Sequence, residues 1–283
     1  MPSTVRTKII FSILTLTVLF SFLPVAAAGE GDNWNIWTEI IPASTIEEAK
    51  GALGPTLMGK EIGRVMHIPL ALTAMVIALL FGVIAGRRFR DEEAAIHPPS
   101  NFGVTAIMEM LLIGVYNLAS QMMEDKWVKR SFPLLATLAL FIGTMNLLGC
   151  VPGLGAATDN LNTTLGMAIC VFIATHYLGI REHGLPYFKH FVGPIHHPAA
   201  FPLWCLMLPI ELIGHLARVA SLSLRLMAVM VADHAVLIKF LILVPFLLPI
   251  PIQILGLLVA LVQTFVFLIL TVVYLSMAVA HDH

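Results

Sequence analysis

The feature that most constrains the fold is a run of 18 residues without a charge, Pro69–Gly86, which ends at the basic cluster Arg87-Arg88-Phe89-Arg90. An uncharged apolar run of this length predicts a transmembrane helix. Of the 283 residues, 58 % are hydrophobic and only 12 % are charged, whereas in soluble domains about a quarter are charged. The sequence therefore predicts an all-α polytopic membrane protein. The formal net charge of −1 gives no sign of nucleic-acid binding.

The N-terminal region has the composition of an export signal. Arg6 and Lys8 precede an apolar stretch, residues 9–23, and three alanines stand at residues 26–28. A basic start, an apolar centre and small residues at the end are typical of a signal peptide. We expect residues 1–28 to be a signal peptide, with a retained first span as the alternative. Residues 29–66 would then form an exported N-terminal segment.

The remaining residues, 67–283, are expected to form a single membrane domain. Five spans are predicted, at about residues 69–86, 133–151, 163–180, 201–244 and 251–280. The apolar stretch at residues 102–123 is interrupted by polar side chains, which favours an interfacial helix on the cytoplasmic side over a full span. The basic cluster that follows the first span and the basic loop at 181–198 should both be cytoplasmic. This orientation puts the N-terminus outside, if the signal peptide is cleaved, and His283 in the cytoplasm.

The last two apolar segments are long and are separated by a proline-rich turn. As one helix, residues 201–244 would measure about 66 Å, against a hydrocarbon core about 30 Å thick. Such a helix must tilt strongly, or its first part, up to about Pro209, must lie along the interface. We expect a long, strongly tilted helical hairpin, a shape suited to lying against a neighbouring protein.

Several charged and polar residues fall inside these two segments. Arg225 is the central one, at a depth where a charge costs roughly 2.5–3.5 kcal/mol on insertion scales. Glu211 and Arg218 lie on the same helix face, at a spacing of seven residues, and an interfacial ion pair between them is the alternative to a functional role. His234 falls on the opposite face, toward other spans. Gln263 is the strongly polar residue of the last segment, and an ordinary interhelical hydrogen bond is its alternative role.

An arginine that stays charged at any working pH can hold a nearby carboxylate ionised, because the positive charge lowers the pKa of that carboxylate. The sequence offers no obvious acidic residue at the depth of Arg225. We therefore expect the carboxylate to belong to another subunit.

Several motifs occur in one order along the chain: MNLLGCVP and TDNLNTTLGMA, then PIELIGHLAR and SLSLRLMAVM, then the Gln263 helix ending in TVVYLSMA. In these motifs the sequence closely resembles subunit a of the F-type ATP synthase membrane (Fo) sector, over about residues 67–280. The resemblance implies a non-catalytic stator subunit that abuts a rotating ring of c subunits, next to the b-subunit peripheral stalk, in a bacterial inner membrane. Protons would reach and leave the ring carboxylates through two half-channels.

The resemblance also implies roles for individual residues. Arg225 matches the essential arginine that separates the half-channels, and Gln263 matches the glutamine close to it. Glu211 and Arg218 match an acidic and a basic residue on the cytoplasmic side of that arginine. His234 matches a position of the outer half-channel that often holds an acid.

The sequence departs from the family pattern at three positions. Val229 replaces a polar asparagine, His234 replaces the usual acid, and Gly256 stands where many members have a polar or titratable side chain. Because histidine titrates near neutral pH, His234 could relay protons. Asp233, its neighbour, could restore the missing acid. Both are expectations about the outer path.

Two other classes of protein fit the sequence less well. A self-contained secondary ion transporter is the alternative function, but it predicts paired repeats or helices broken at corresponding places, which the sequence lacks. An intramembrane metalloenzyme is disfavoured because the chain has neither HxxxH nor HExxH. No cofactor and no metal is expected. The size of the c-ring is left open, and the proton is the default coupling ion over sodium.

Overall fold

The computed structural model describes residues 40–42, 44–45, 63–89, 103–151, 154–184, 201–243 and 249–279. The predicted signal peptide lies outside these ranges, and so does most of the predicted exported segment, of the second basic loop and of the proline-rich turn. Six helices of 17 residues or more lie within them, and no β-strand does. They are α1 (Gly63–Phe89), α2 (Val104–Ser120), α3 (Asp125–Gly149), α4 (Leu161–His183), α5 (Phe201–Leu243) and α6 (Pro249–Val279).

Five of these helices are long and apolar enough to cross a membrane, which confirms the predicted all-α polytopic architecture. The spanning parts are His67–Gly86, Asp125–Gly149, Leu161–His183, Pro209–Phe240 and Ile250–Val279. Helix α2 has only 17 residues and is the shorter apolar helix that the sequence predicts between the first two spans. Its predicted interfacial position stays a prediction.

Helix α3 begins eight residues before the predicted start of its span, and its first turns contain the charged segment that precedes Pro133. Asp125 lies in the first turn, where the partial positive charge of the helix N-terminus favours an acidic residue. Lys126 Nζ lies 3.2 Å from Glu182 Oε2 on α4. Trp127 is 2 % exposed, and both Lys126 and Arg130 lie over its ring. The charged residues therefore extend the helix, which the apolar pattern alone did not predict.

Helix α5 is continuous over 43 residues and contains Pro209. It does not break at this proline, so its whole length of about 64 Å is one helix. The two alternatives drawn from the sequence, a strong tilt and a first part that lies along the interface, both stay predictions.

The chain divides into two compact units. The first unit comprises Met1–Leu80, Phe141–Thr163 and Met227–Thr264; the second comprises Phe81–Leu140, Thr164–Leu226 and Phe265–His283. Side chains buried in the first unit include Ala74, Ile142, Met145, Asn146, Thr158, Met230 and Ala260. Side chains buried in the second include Trp127, Leu135, Val171, Leu222, Leu226, Phe267 and Leu275. Each unit thus has an apolar core of its own, shared among several helices.

Candidate functional site

In the first unit, the side chain of His234 on α5 contacts residues at and between the ends of α3 and α4. Its Nε2 lies 3.1 Å from the carbonyl oxygen of Gly149, and its Nδ1 lies 3.8 Å from Asp159 Oδ2. A neutral imidazole has one N–H, so it donates at only one of these nitrogens, whereas an imidazolium donates at both. The site therefore offers His234 a hydrogen-bond acceptor on one side and a carboxylate on the other.

Asp159 is positioned by a short 3-10 helix, Ala157–Asp159, that follows Gly155. Gly155 has φ = +70°, a left-handed conformation that glycine adopts without strain. Burial by the surrounding protein raises the pKa of Asp159 above the ordinary carboxyl value, while positive charge at His234 and at His67 opposes this shift. The side chain is still 43 % exposed, so water screens part of these effects. Asp159 is thus a titratable carboxyl group beside His234.

Asp233 occupies space that a side chain at position 256 would need. A Cβ built on Gly256 would lie 2.7 Å from Asp233 Oδ2 and 3.1 Å from Oδ1. The carboxylate of α5 therefore rests directly against the backbone of α6. This contact gives a steric reason for the glycine at position 256, one of the departures found in the sequence.

Cys150 and Gln253 lie in the same unit. Gln253 Nε2 donates a hydrogen bond of 2.6 Å to the carbonyl oxygen of Cys150. Burial, with a smaller contribution from the charge of Asp233, raises the pKa of the Cys150 thiol to about 11. The thiol is therefore protonated and weakly reactive at neutral pH.

The first unit also contains a buried hydrogen-bond network that links α3, the 3-10 helix and α6. Asn146 Nδ2 donates to Thr264 Oγ1 at 3.0 Å, and Thr158 Oγ1 donates to Asn146 Oδ1 at 2.9 Å. Thr264 Oγ1 in turn donates to the carbonyl oxygen of Ala260 at 2.8 Å. Asn146 therefore positions Thr158, the residue before Asp159, and Thr264, the residue after Gln263.

The second unit contains a different polar cluster, on the part of α5 that precedes Arg225. His215 Nε2 lies 3.3 Å from Glu211 Oε1, one helical turn earlier. The ring centroids of His215 and His176 on α4 are 5.0 Å apart. The guanidinium carbon of Arg218 lies 5.9 Å from the ring centroid of Tyr274. Glu211 and Arg218 are thus not paired with each other in any contact observed here; each has a different neighbour.

Arg225 and Gln263 differ from these clusters because neither side chain has a hydrogen-bond or ion-pair partner among the described residues. The side chain of Arg225 is exposed, and within the described ranges it makes no hydrogen bond or ion pair. Gln263 is 6 % exposed, and its amide makes no hydrogen bond to any described residue. Polar groups inside a membrane protein normally find partners. The exposed side chain of Arg225 is therefore available to a group outside the described part of the chain.

Sequence reasoning missed several members of these clusters. Asp159 and Asn146 lie within motifs that carry the resemblance, but nothing in their local pattern marks them as neighbours of His234 or Thr264. His176 and His215 are histidines inside apolar helices, which was the available signal, yet their spacing predicts no contact because they belong to different helices. Among the described residues, no three His, Cys, Asp or Glu side chains converge in a way that could hold a metal ion.

The fold and these clusters define a class: a multi-pass helical membrane protein that carries titratable groups in and between its spans. Residues 68–276 match the family described as ATP synthase A chain. The chain is 42 % identical over 224 residues to ATP synthase subunit a 1 of Syntrophotalea carbinolica, covering 79 % of this chain and 90 % of that protein. It is 37 % identical over 248 residues to ATP synthase subunit a of Bdellovibrio bacteriovorus, covering 87 % of this chain and 98 % of that protein.

The chain belongs to this family, ATP synthase subunit a, as the motifs in its sequence indicated. It is therefore a component of the proton-translocating membrane sector of an ATP synthase complex. A further relative, ATP synthase subunit a of Geobacter sulfurreducens, is 44 % identical over 181 residues, which are 64 % of this chain and 76 % of that protein.

Proposed function

We propose that this chain is the stator through which protons reach and leave the carboxylates of a c-subunit ring, with Arg225 separating two half-channels. The observation that supports this proposal is the environment of the Arg225 side chain. It is a permanently charged side chain in the middle of a spanning helix, exposed, and without a hydrogen bond or ion pair to any described residue. A charge at this depth costs free energy unless a partner compensates it, and an acidic group on another subunit would do so.

The partner's carboxylate would be held ionised while it faces Arg225, because the guanidinium favours the charged form. It would accept a proton when it moves away from the guanidinium. Gln263, whose amide has no hydrogen bond to a described residue, can donate to such a carboxylate or accept from its protonated form. The chain itself forms and breaks no covalent bond in this scheme, and its role is therefore non-catalytic.

The two polar clusters supply the half-channels along α5. His215 precedes Arg225 by ten residues of the sequence and His234 follows it by nine. We assign Asp233 and His234, with Asp159, to the outer half-channel. We assign Glu211 and Arg218 to the cytoplasmic half-channel, because the basic residues of the flanking loop indicate that side.

We also propose a membrane location and neighbouring subunits for this chain. We propose a bacterial inner membrane, with the N-terminus outside after cleavage of residues 1–28 and His283 in the cytoplasm. The c-ring and the b-subunit peripheral stalk are the proposed neighbours. A self-contained secondary transporter gains no support from any contact described above, and the named relatives are all ATP synthase subunits.

The decisive experiment is ATP-driven proton pumping in inverted membrane vesicles that carry the complete complex. Arg225→Ala and Arg225→Lys are compared with the parent, and Lys239→Ala is the matched control because it removes one exposed positive charge from the same helix. We expect Arg225→Ala to abolish pumping while the complex still assembles and hydrolyses ATP. Arg225→Lys should also pump poorly, since an ammonium lacks the planar guanidinium. Lys239→Ala should pump like the parent.

Passive proton leakage tests the separating role independently. If Arg225 keeps the half-channels apart, vesicles with Arg225→Ala should lose an imposed pH gradient faster than parental vesicles. Normal pumping by an assembled Arg225→Ala complex would refute the mechanism.

A further inference from the structure

Helix α4 has one face in the core of the second unit and an opposite face that is exposed along its length. The exposed face carries large apolar side chains that are between 39 % and 60 % exposed: Ile169, Ile173, Tyr177 and Ile180. Their spacing of three and four residues puts them on one side of the helix. This apolar stripe is about 16 Å long, which matches an acyl chain that spans half of a hydrocarbon core about 30 Å thick.

The apolar stripe ends at an arginine whose side chain is oriented by a hydrogen bond. Arg181 is exposed in the last turn of α4, and its Nη1 donates a hydrogen bond of 3.0 Å to the hydroxyl oxygen of Tyr177. A guanidinium has five N–H donors, and this is the one hydrogen bond that Arg181 makes to the described residues. A permanent positive charge therefore stands at the end of the apolar stripe.

Further positive charges lie at the same end of the helix pair. The end of α4 meets the start of α3, because Lys126 Nζ lies 3.2 Å from Glu182 Oε2. Lys129 and Arg130 follow on α3 and are both exposed. The side chain of Glu182, the acidic residue next to Arg181, is 12 % exposed and contacts Lys126, and two further acidic residues precede Lys126. The basic side chains thus outnumber the acidic ones at this end.

An apolar stripe that ends at a cation fits one end of a phospholipid and one of its chains. A guanidinium can bind a phosphate through two parallel N–H donors. The surrounding lysine and arginine side chains would repel the ammonium group of a zwitterionic headgroup, whereas an acidic headgroup adds no positive charge. The basic residues also indicate the cytoplasmic side of the membrane, where acidic lipids give the surface a negative potential.

We propose that α4 binds an acidic phospholipid, with the headgroup phosphate at Arg181 and an acyl chain along the apolar stripe. Tyr177 orients the guanidinium through its hydroxyl and contributes its ring to the apolar stripe. The site requires only that α4 spans a membrane, and it does not depend on how protons pass through the complex.

Cys170 is a natural reporter for this site, because it is exposed on α4 directly after Ile169. A fluorophore is attached to Cys170 in the complete complex, with the other cysteines of the complex replaced by serine. The complex is reconstituted in phosphatidylcholine vesicles that contain increasing amounts of phosphatidylglycerol or phosphatidylcholine with brominated acyl chains. Bromine quenches the fluorophore when the lipid lies against α4, and the two quenching curves give the relative affinity of the two lipids. ATP hydrolysis reports that each complex is assembled.

We expect the parent to bind phosphatidylglycerol about fivefold more tightly than phosphatidylcholine, which is what one cation near an anionic lipid contributes. Arg181→Gln should lose most of this preference. Tyr177→Phe retains the ring and the arginine, so its preference should lie between the two. Lys129→Gln, which removes one exposed positive charge from the same end, is the matched control and should keep most of the preference. Salt should lower the parental preference, because the Debye length falls from about 10 Å at 0.1 M to about 3 Å at 1 M.

Four results would overturn the proposal or part of it. Equal affinity of the parent for both lipids would exclude an acidic-lipid site, and so would an unchanged preference in Arg181→Gln. An equal loss in Lys129→Gln and Arg181→Gln would show a diffuse attraction of acidic lipid to this end instead of a site. Weak quenching by both lipids would show that a neighbouring subunit covers this face of α4. A parental preference in Tyr177→Phe would overturn the orienting role of the tyrosine alone.

Discussion

Replacing Gly256 by alanine should disturb the outer half-channel through one contact. The added Cβ would lie 2.7 Å from Asp233 Oδ2, and ordinary van der Waals contact begins at 3.4 Å. The carboxylate must therefore retreat by about 0.7 Å. Because the neighbouring atoms are the end of a flexible side chain and not backbone, we expect Asp233 to rotate while α5 and α6 keep their positions.

The size of the effect follows from that rotation. A side chain forced about 30° off its rotamer costs about 0.5–1.5 kcal/mol. Replacing glycine by alanine inside a helix stabilises the helix by about 0.5–1 kcal/mol. The two effects nearly cancel, so the free energy of unfolding of the subunit should change little. If Asp233 carries protons, its displacement should slow pumping, and the same 0.5–1.5 kcal/mol corresponds to a factor between about twofold and about tenfold.

A double-mutant cycle isolates the contact. Proton pumping is measured for Gly256→Ala, Asp233→Ala and the double variant, with the amount of subunit retained in the membrane as the measure of stability. Gly143→Ala is the matched control, since its added Cβ would meet its nearest atom, Thr264 Cγ2, at an ordinary 3.6 Å.

Two results would refute this reasoning. One is parental pumping by Gly256→Ala, because the displaced carboxylate would then have no role in the path. The other is an additive loss in the double variant, since alanine at position 256 has nothing to displace once the carboxylate is gone. We expect the double variant to pump like Asp233→Ala.

Three further predictions concern the same unit. Because burial raises the pKa of Cys150 from 9.0 to about 11, the thiol should react with a maleimide roughly tenfold more slowly near neutral pH than an unperturbed thiol, since the thiolate fraction falls by about 100-fold while the more basic thiolate is more nucleophilic; the rate is measured with the other cysteines replaced by serine. His234→Gln can still donate to Gly149 but cannot titrate, so ATP-driven pumping should fall by roughly tenfold in an assembled complex; a parental rate would exclude His234 from the path. Asn146→Ala leaves buried hydrogen-bonding groups without a partner, which costs about 1–3 kcal/mol for each group, so less subunit should be retained in membranes than with the exposed control Asn117→Ala.

The sequence predicted the helices well but not all of their ends. Apolar length alone placed the spans, because a helix that crosses a bilayer needs about 20 apolar residues. Helix α3 begins eight residues before the predicted span. Its first turns are charged, and their stability comes from contacts that the apolar pattern does not contain: the ion pair between Lys126 and Glu182 and the burial of Trp127. Helix α5 continues through Pro209, a point that the sequence had left open.

The residues of the candidate site were also predicted from the sequence only in part. Arg225 and Gln263 stand out in the sequence because each is a polar residue in an apolar segment, and the cost of burying such a group is a property of the residue and its immediate neighbours. Helical periodicity also put His234 on the face opposite Arg225. These inferences need only positions along one helix.

The partners of these residues were decided by tertiary structure alone. His234 meets Asp159 from a turn some 75 residues earlier, His176 meets His215 from another helix, and Asp233 fills the space left by Gly256. Local sequence determines which residues share a helix face, because the helical repeat is fixed. It does not determine which faces meet, because that depends on how side chains from distant parts of the chain pack together. For this protein, the sequence determined the membrane helices and the arginine in an apolar segment, and packing determined the titratable cluster within each unit.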